Sequence, residues 1–275
     1  MPNAVEPPTE SPRRLEAAYA LLADSDGAPW RPVAGGTDLM VQVTGELGEP
    51  PERILDIWAL DELRGIRVDG EVLEIGALTT YSDVRTSAVI AEFLPALADA
   101  AATIGAAQIQ NRGTIGGNVI NASPAGDTLP VFAVSGAEVV LQGVDGERRV
   151  PFTSFYTGYR QSVRRPDELI TAVEVPAVEG RQWFRKVGTR AAQAISKVVL
   201  AGVRAGSPAL ALGSVGPTVV RLPRTEALLA SGSPIETALE ALRAEISPID
   251  DVRSTADYRR DVAANLVREF WARTA

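Results

Sequence analysis

Two glycine-rich segments constrain this chain more than any other feature of its sequence. They are residues 33–39 (VAGGTDL) and residues 114–119 (TIGGNV), and each follows a short apolar or extended stretch. Glycine adopts positive φ angles and lets the backbone approach a ligand closely. Successive N–H groups in such turns form a concave anion site. One Gly-Gly pair is typical of an ordinary turn, but two that converge on one ligand predict a site for both phosphates of a dinucleotide.

The acidic composition argues against a nucleic-acid partner. The 275 residues include 35 Asp and Glu against 27 Lys and Arg, for a net charge of −8 and a pI of about 4.8. Binding to phosphate backbones needs basic surface. Neither glycine segment contains Lys or Arg, so backbone dipoles would supply most of the attraction for a pyrophosphate.

The chain has no cysteine and no histidine, which excludes several classes of chemistry. It cannot hold an iron–sulfur cluster or a thiolate metal site, and it has no Cys nucleophile or Ser-His-Asp triad. A metal held by carboxylates alone remains possible. Any redox chemistry must come from an organic cofactor, and a flavin could not use the common covalent links through His or Cys.

Residues 1–10 are polar and rich in proline and acid, which predicts a flexible tail. The Arg13-Arg14 pair resembles a twin-arginine signal, but no apolar region follows it, so exposed charges at the start of a helix explain it better. No apolar run approaches the length of a membrane span. We expect a soluble, cytoplasmic protein without a membrane span.

The pattern of the chain divides it into three sections after the tail. Residues 11–60 predict a small α/β unit, with Ser11 and Pro12 starting a helix, strands at 31–34 and 53–58, and a helix at 39–47. Residues 61–176 predict an α+β unit dominated by antiparallel pairing, with hairpins around Asp69-Gly70 and Asp145-Gly146. Residues 177–275 predict three strands followed by helices.

Polar side chains accompany the second glycine segment. Thr114 offers a hydroxyl, Asn118 offers a donor and an acceptor, and Asp127 can accept from the hydroxyls of a ribose or ribityl chain. Each has a structural alternative: Asn118 as a satisfied turn residue and Asp127 as a helix N-cap. In the first segment, Thr37 and Asp38 can cap the helix that follows.

These motifs resemble those of one family, the FAD-binding medium subunits of the molybdenum hydroxylases, which include carbon monoxide dehydrogenase and xanthine dehydrogenase. The resemblance lies in AGGTDL at 34–39 and in TIGGN at 114–118 followed by Ser123-Pro124 and Asp127. It continues in FRKVGTR at 184–190 and DYRR at 257–260. It covers the chain from about residue 13 to residue 270.

The resemblance implies an α+β fold, in which an FAD-binding domain (11–176) consists of two α/β subdomains, 11–60 and 61–176. A C-terminal domain (177–275) then has a three-stranded antiparallel sheet with helices. FAD would lie extended between the first two subdomains, bound non-covalently. The implied cofactor contacts are Val33, Ala34, Gly35, Gly36, Thr37, Asp38, Leu39, Ile104, Thr114, Ile115, Gly116, Gly117, Asn118, Asp127, Ile170 and Lys186.

Three of these positions carry a more specific expectation by resemblance. Ile104 stands where other members pack an aromatic residue against the isoalloxazine ring, and Ile170 and Lys186 correspond to positions beside the flavin. For Lys186, a surface charge on an edge strand is the alternative. No catalytic residue and no metal ligand are implied in this chain.

The family divides its reaction among several subunits. A large subunit binds molybdopterin and hydroxylates the substrate, a small subunit relays electrons through [2Fe-2S] clusters, and the FAD subunit passes them to an external acceptor. The resemblance therefore implies a dimer of heterotrimers. Two alternatives remain open from the sequence: a stand-alone flavin oxidase or dehydrogenase that binds its own substrate, and a non-enzymatic nucleotide-binding module.

Overall fold

A computed structural model describes residues 7–44, 49–191 and 193–275. Three sheets follow one another along the chain, each with its own helices, and a two-stranded ribbon lies beside the second sheet. Within the described ranges, no helix combines the length and apolar character that a bilayer span requires. The cytoplasmic location stays a prediction.

The first unit is a three-stranded parallel sheet of order β1-β3-β2. Its elements are β1 (Thr9–Glu10), α1 (Leu15–Ala23), β2 (Trp30–Val33), α2 (Leu39–Thr44) and β3 (Arg53–Asp56). Residues from both helical and strand segments, among them Tyr19 and Leu55, form its buried core. The predicted order of helix, strand, helix and strand is therefore present.

Two details of this unit differ from prediction. Thr9 and Glu10 pair with Ile54 and Leu55, so this part of the expected tail is a strand, while residues 1–6 lie outside the described part. The pairing keeps the chain extended past Ser11, and α1 begins after an Arg14 N-cap rather than at Pro12. The end of the predicted 39–47 helix also lies outside the described residues.

The second unit is a five-stranded antiparallel sheet of order β4-β5-β10-β6-β7. Both predicted hairpins are present. Its strands are β4 (Ile66–Asp69), β5 (Val72–Gly76), β6 (Glu138–Gly143), β7 (Gly146–Pro151) and β10 (Leu169–Pro176), with β8 (Tyr156–Gly158) and β9 (Gln161–Ser162) forming the ribbon. Six short helices connect β5 to β6: α3 (Tyr81–Thr86), α4 (Ala88–Phe93), α5 (Pro95–Ala102), α6 (Ala107–Arg112), α7 (Ile115–Asn121) and α8 (Leu129–Val134).

The third unit is an antiparallel sheet of order β11-β12-β13-β14. Three strands match the predicted sheet, β11 (Arg181–Val187), β12 (Val198–Arg204) and β13 (Ala209–Gly213), and the two-residue β14 (Val220–Arg221) adds a short fourth edge. Three helices follow: α9 (Pro223–Ala230), α10 (Ile235–Glu245) and α11 (Ala256–Arg273).

Strand β12 joins the second and third units because both of its faces are buried. Alternate residues of a strand point to opposite faces. Val199 and Ala201 belong to the large core shared with the second unit, whereas Val198 and Leu200 pack in the core formed with the C-terminal helices. This arrangement brings β11 and the end of β13 against the helices that follow β5, where the site residues lie.

Candidate functional site

The first glycine segment is a tight turn between β2 and α2. Gly36 adopts a φ of +75°, a conformation that favours glycine. Among the residues that the structure describes, none accepts a hydrogen bond from the backbone N–H groups of residues 35–38. Four successive donors without partners form the kind of concave cradle that binds an anion. This segment therefore fits a phosphate group.

The second glycine segment differs from the predicted turn, because it forms the first turn of α7. Thr114 is the N-cap residue, and its Oγ1 accepts a hydrogen bond from the N–H of Gly117 at 3.1 Å. The N–H groups of Ile115 and Gly116 donate to the carbonyls of Thr79 and Ala77. These donors are used inside the protein, so the second segment cannot be a cradle of free N–H groups like the first.

Glycine at position 116 has a packing reason. A Cβ atom there would lie 2.7 Å from the Cβ of Ala77 and 2.9 Å from its carbonyl oxygen. A Cβ on Gly117 would meet only the Thr114 hydroxyl, at 2.8 Å. The first glycine of this pair lets α7 pack against the chain that leaves β5, and the second leaves open space beside the N-cap.

The first glycine segment contacts residues that flank the second segment on either side. The ideal position of a Cβ on Gly35 is 1.6 Å from the carbonyl oxygen of Arg112. Arg112 Nε donates to the Gly35 carbonyl at 3.4 Å, and its guanidinium lies 3.9 Å above the ring of Trp58. A second link runs from Asn121 Nδ2 to Asp38 Oδ1, at 3.0 Å.

Arg112 and Asn121 were not recognised from the sequence as site residues. Both flank the second segment closely, but nothing in their spacing shows that they contact a segment so distant in the chain. Arg112 also places a positive charge beside the first cradle. It lies outside both glycine segments, so their lack of Lys and Arg did not reveal it. Its side chain is exposed, so it remains accessible to an anionic ligand.

Asp127 and Lys186 form a buried ion pair. Lys186 Nζ lies 2.6 Å from Asp127 Oδ2, and the two side chains are 6% and 8% exposed. Helix α8 begins at Leu129 with Thr128 as its N-cap residue, so the N-cap alternative for Asp127 is wrong. Lys186 lies on an edge strand, but its buried side chain contradicts the surface-charge alternative.

The Asp127 carboxyl group has one unused oxygen. Its Oδ1 is buried and has no hydrogen-bond partner within the described part of the chain. Burial raises the pKa of Asp127 to about 6, against the opposing effects of Lys186 and the Ser196 hydroxyl. A buried acceptor without a partner is costly, so a ligand hydroxyl that donated to Oδ1 would satisfy it.

Hydrogen bonds connect this ion pair to the other predicted residues. Thr128 Oγ1 donates to Asn118 Oδ1 at 2.5 Å, which joins the Asp127 region to the second glycine segment. Lys186 Nζ also donates to the carbonyl of Thr103 at 3.2 Å, beside Ile104. These contacts link Asn118 to the residue after Asp127, and the Asp127–Lys186 pair to the residue before Ile104.

Ile170 is placed differently. Its side chain is buried in the core that also contains Ile115, and Ile104 packs against the edge of that core. The residue lies on β10, where the register with β6 shifts between Ile170 and Ala172. Ile170 belongs to the same large core as Ile115, and among the described residues no hydrogen bond links its side chain to the polar residues of the site.

Tyr81 is a further residue that sequence reasoning missed. It is buried at the start of α3, with its ring against Gly113, just before the second glycine segment. Burial raises the pKa of its hydroxyl, and the charges of Asp127 and Asp38 add to the effect. Tyr81 is therefore a buried neighbour of the residue that precedes the second glycine segment. In the sequence, a tyrosine at the start of a helix gives no indication that it lies beside the glycine segment.

Matches to two families cover nearly the whole chain. Residues 6–178 match the FAD binding domain in molybdopterin dehydrogenase, and residues 183–274 match the CO dehydrogenase flavoprotein C-terminal domain. The carbon monoxide dehydrogenase medium chain of Hydrogenophaga pseudoflava is 31% identical over 280 residues, covering 96% of this chain and 97% of that one. The nicotinate dehydrogenase FAD-subunit of Eubacterium barkeri is 36% identical over 193 residues, or 68% of this chain and 65% of that one.

Solved structures share the fold. The structure of carbon monoxide dehydrogenase from Hydrogenophaga pseudoflava that lacks the Mo-pyranopterin moiety matches with a TM-score of 0.90 at 30% identity, covering 98% of both chains. Quinoline 2-oxidoreductase from Pseudomonas putida 86, at 23% identity, has the same fold with a TM-score of 0.90 over 98% of this chain and 97% of that one. The chain therefore belongs to the family of FAD-binding medium subunits of molybdenum hydroxylases, of the carbon monoxide and xanthine dehydrogenase type, and is an oxidoreductase subunit of a multi-subunit enzyme.

Proposed function

We propose that this chain is the electron-transfer subunit of a molybdenum hydroxylase and that its site holds FAD. The observation that carries the proposal is the cradle of N–H groups at 35–38, which have no acceptor among the residues that the structure describes. The cradle packs against Arg112, just before the second glycine segment. When bound, FAD would supply the redox chemistry for electron transfer between [2Fe-2S] clusters on a partner subunit and an external acceptor.

The protein's own residues would bind and orient the cofactor. The cradle and Arg112 supply donors and positive charge for the pyrophosphate, and Asp127 Oδ1 supplies a buried acceptor for a hydroxyl. Lys186 forms an ion pair with Asp127, and Ile104 with Ile170 supplies apolar surface. The proposed contacts are Val33, Ala34, Gly35, Gly36, Thr37, Asp38, Leu39, Ile104, Thr114, Ile115, Gly116, Gly117, Asn118, Asp127, Ile170 and Lys186.

The cofactor would be held non-covalently, because the chain lacks the His and Cys side chains that form the common covalent flavin links. Acid precipitation of the loaded protein should release all of the flavin into the supernatant as FAD. Flavin that remained in the pellet would contradict this part of the proposal.

We propose that the chain has the domains that the sequence predicted. Residues 11–176 would form the FAD-binding domain, with subdomains 11–60 and 61–176, and residues 177–275 the C-terminal domain. Support comes from the three successive sheets. The shared core at β12 implies that the second and third parts depend on each other for stability.

The proposed partners are a large molybdopterin-binding subunit and a small [2Fe-2S] subunit, assembled as a dimer of heterotrimers. Three relatives are named as medium chains of dehydrogenases, and they align with more than nine-tenths of this chain. The lack of Cys and His in this chain agrees with metal centres on other subunits.

Anaerobic mixing tests the function directly. The FAD-loaded chain is mixed with purines, other N-heterocycles, aldehydes and carbon monoxide, alone and after assembly with its partners, while the visible absorbance of the flavin is followed. We expect bleaching by one substrate in the assembled complex and none in the chain alone. Bleaching in the chain alone would support a stand-alone flavin oxidase and contradict the proposal.

A further inference from the structure

The DYRR motif at residues 257–260 has no role in the site described so far, although one of its residues is buried. Asp257 and Tyr258 are exposed, and Arg260 pairs with Asp257 at the surface. The side chain of Arg259 is only 5% exposed. A buried arginine is expensive unless its charge and its donors are satisfied, so Arg259 needs a structural reason.

Arg259 bridges two acceptors with its two terminal nitrogens. Nη1 donates to the backbone carbonyl of Ser214 at 2.7 Å, and Nη2 donates to Asp251 Oδ1 at 2.7 Å. The carboxylate balances the charge, and the planar guanidinium fixes the direction of both hydrogen bonds. The carbonyl of Ser214 is thereby held from the side of α11.

Ser214 has an unusual backbone. Its φ is +65°, in the left-handed region that non-glycine residues rarely adopt. Such a conformation persists only where surrounding contacts determine it. Four hydrogen bonds surround Ser214. Its carbonyl accepts from Arg259, and its hydroxyl bonds to both the hydroxyl and the carbonyl of Ser196. The fourth bond comes from the backbone N–H of Ser214.

That N–H donates to the carbonyl of Pro124 at 2.7 Å. Ser196 Oγ lies 3.2 Å from the carbonyl of Ala125, and a Cβ on Gly213 would come within 3.1 Å of Pro124 O. The carbonyl of Pro124 is thus held by Ser214, just after β13, and the carbonyl of Ala125 is held by Ser196. These carbonyls stand immediately before Gly126 and Asp127, so the contact restrains the backbone that leads to Asp127.

We propose that Arg259 is a positioning residue for the cofactor site. It holds Ser214 in its left-handed conformation, and Ser214 with Ser196 fixes residues 124–127 so that Asp127 Oδ1 is aimed at the ligand. This inference rests on the proposed function, because the ligand of Oδ1 is the FAD. It gives the C-terminal domain a direct part in forming a site whose contacts otherwise lie mostly in the preceding domain.

The test compares Arg259→Lys with Arg260→Lys, its neighbour on the same helix. Lysine keeps the positive charge but has one terminal nitrogen, so it cannot bridge Ser214 and Asp251 as the guanidinium does. Apoprotein is titrated with FAD, and its thermal unfolding is recorded separately. We expect the Kd for FAD to rise about tenfold in Arg259→Lys, the size of one charge-assisted hydrogen bond, and to stay unchanged in Arg260→Lys.

A double-mutant cycle separates positioning from general destabilisation. In an Asp127→Asn background, Arg259→Lys should cause little further loss of FAD affinity, because the group that it positions is already altered. Should Arg259→Lys fail to fold, Ser214→Ala, which removes the two hydroxyl bonds, takes its place in the same cycle. Full additivity with Asp127→Asn, or a Kd equal to that of Arg260→Lys, overturns the inference. Wild-type apoprotein that binds no FAD overturns the proposed function itself.

Discussion

The carbonyl oxygen of Arg112 occupies the space that a side chain on Gly35 would need, 1.6 Å from the ideal Cβ position. This contact joins the first parallel unit to the helices of the second unit through backbone alone. The Arg112 side chain adds a hydrogen bond to Gly35 and a cation–π contact with Trp58. This close approach, together with the Asn121–Asp38 hydrogen bond, holds the first glycine segment beside the residues that flank the second.

Gly35→Ala should separate the two segments. A Cβ so close to a backbone oxygen forces the backbone to move, and overpacking of this kind costs about 3 kcal/mol of unfolding free energy. FAD binding should be lost with it. Gly206→Ala is the matched control, since a Cβ there meets nothing within 4 Å. Urea unfolding and FAD titration of both variants make the comparison, and a Gly35→Ala variant with normal stability would contradict the close approach.

The two glycines of the second segment should respond differently to alanine. Gly116→Ala introduces a Cβ against the backbone and side chain of Ala77, so we expect a loss of about 1–3 kcal/mol in unfolding free energy.

Gly117→Ala meets only the Thr114 hydroxyl. A gain in helix propensity of about 1 kcal/mol offsets the weakened N-cap. Its stability should change little, while its affinity for FAD falls because the open space beside the N-cap is filled. Equal losses of stability in Gly116→Ala and Gly117→Ala, measured by urea unfolding, would refute this distinction.

The Asp127 carboxyl group should leave a signature in the pH dependence of stability. Burial raises its pKa from 3.8 to about 6. Between about pH 4 and about pH 6, the folded chain therefore holds a proton that the unfolded chain has released, and this group's contribution to stability falls as the pH rises. The difference in unfolding free energy between the wild-type apoprotein and the Asp127→Asn variant should therefore decrease as the pH rises from about 4 to about 6. A difference that increases with pH would mean that the Lys186 pairing outweighs burial.

Local chemistry explains what could be predicted from the sequence. The hairpins around Asp69-Gly70 and Asp145-Gly146 depend on turn residues next to the strands they join, and the glycine segments were recognised by composition. The start of α1 was misplaced because the pairing of Thr9–Glu10 with β3 is a long-range contact.

The Asp127–Lys186 ion pair could not be predicted from the sequence, because it too is a long-range contact. Its partners come from a loop after α7 and from strand β11, which only the packing of the third sheet brings together. The resemblance named both residues, yet the sequence alone favoured a helix cap for Asp127 and left a surface charge open as the alternative for Lys186. Tertiary contacts decide the roles of such residues, and Arg112, Tyr81 and Arg259 illustrate the same limit.

The most direct measurement is a titration of the apoprotein with FAD and, in parallel, with FMN. We expect one FAD bound per chain. FMN should bind at least about tenfold more weakly, because it lacks the second phosphate and the adenosine that a pyrophosphate site would hold. An apoprotein that binds no FAD, or that binds FMN as tightly as FAD, would contradict the claim that the two glycine segments form a dinucleotide site.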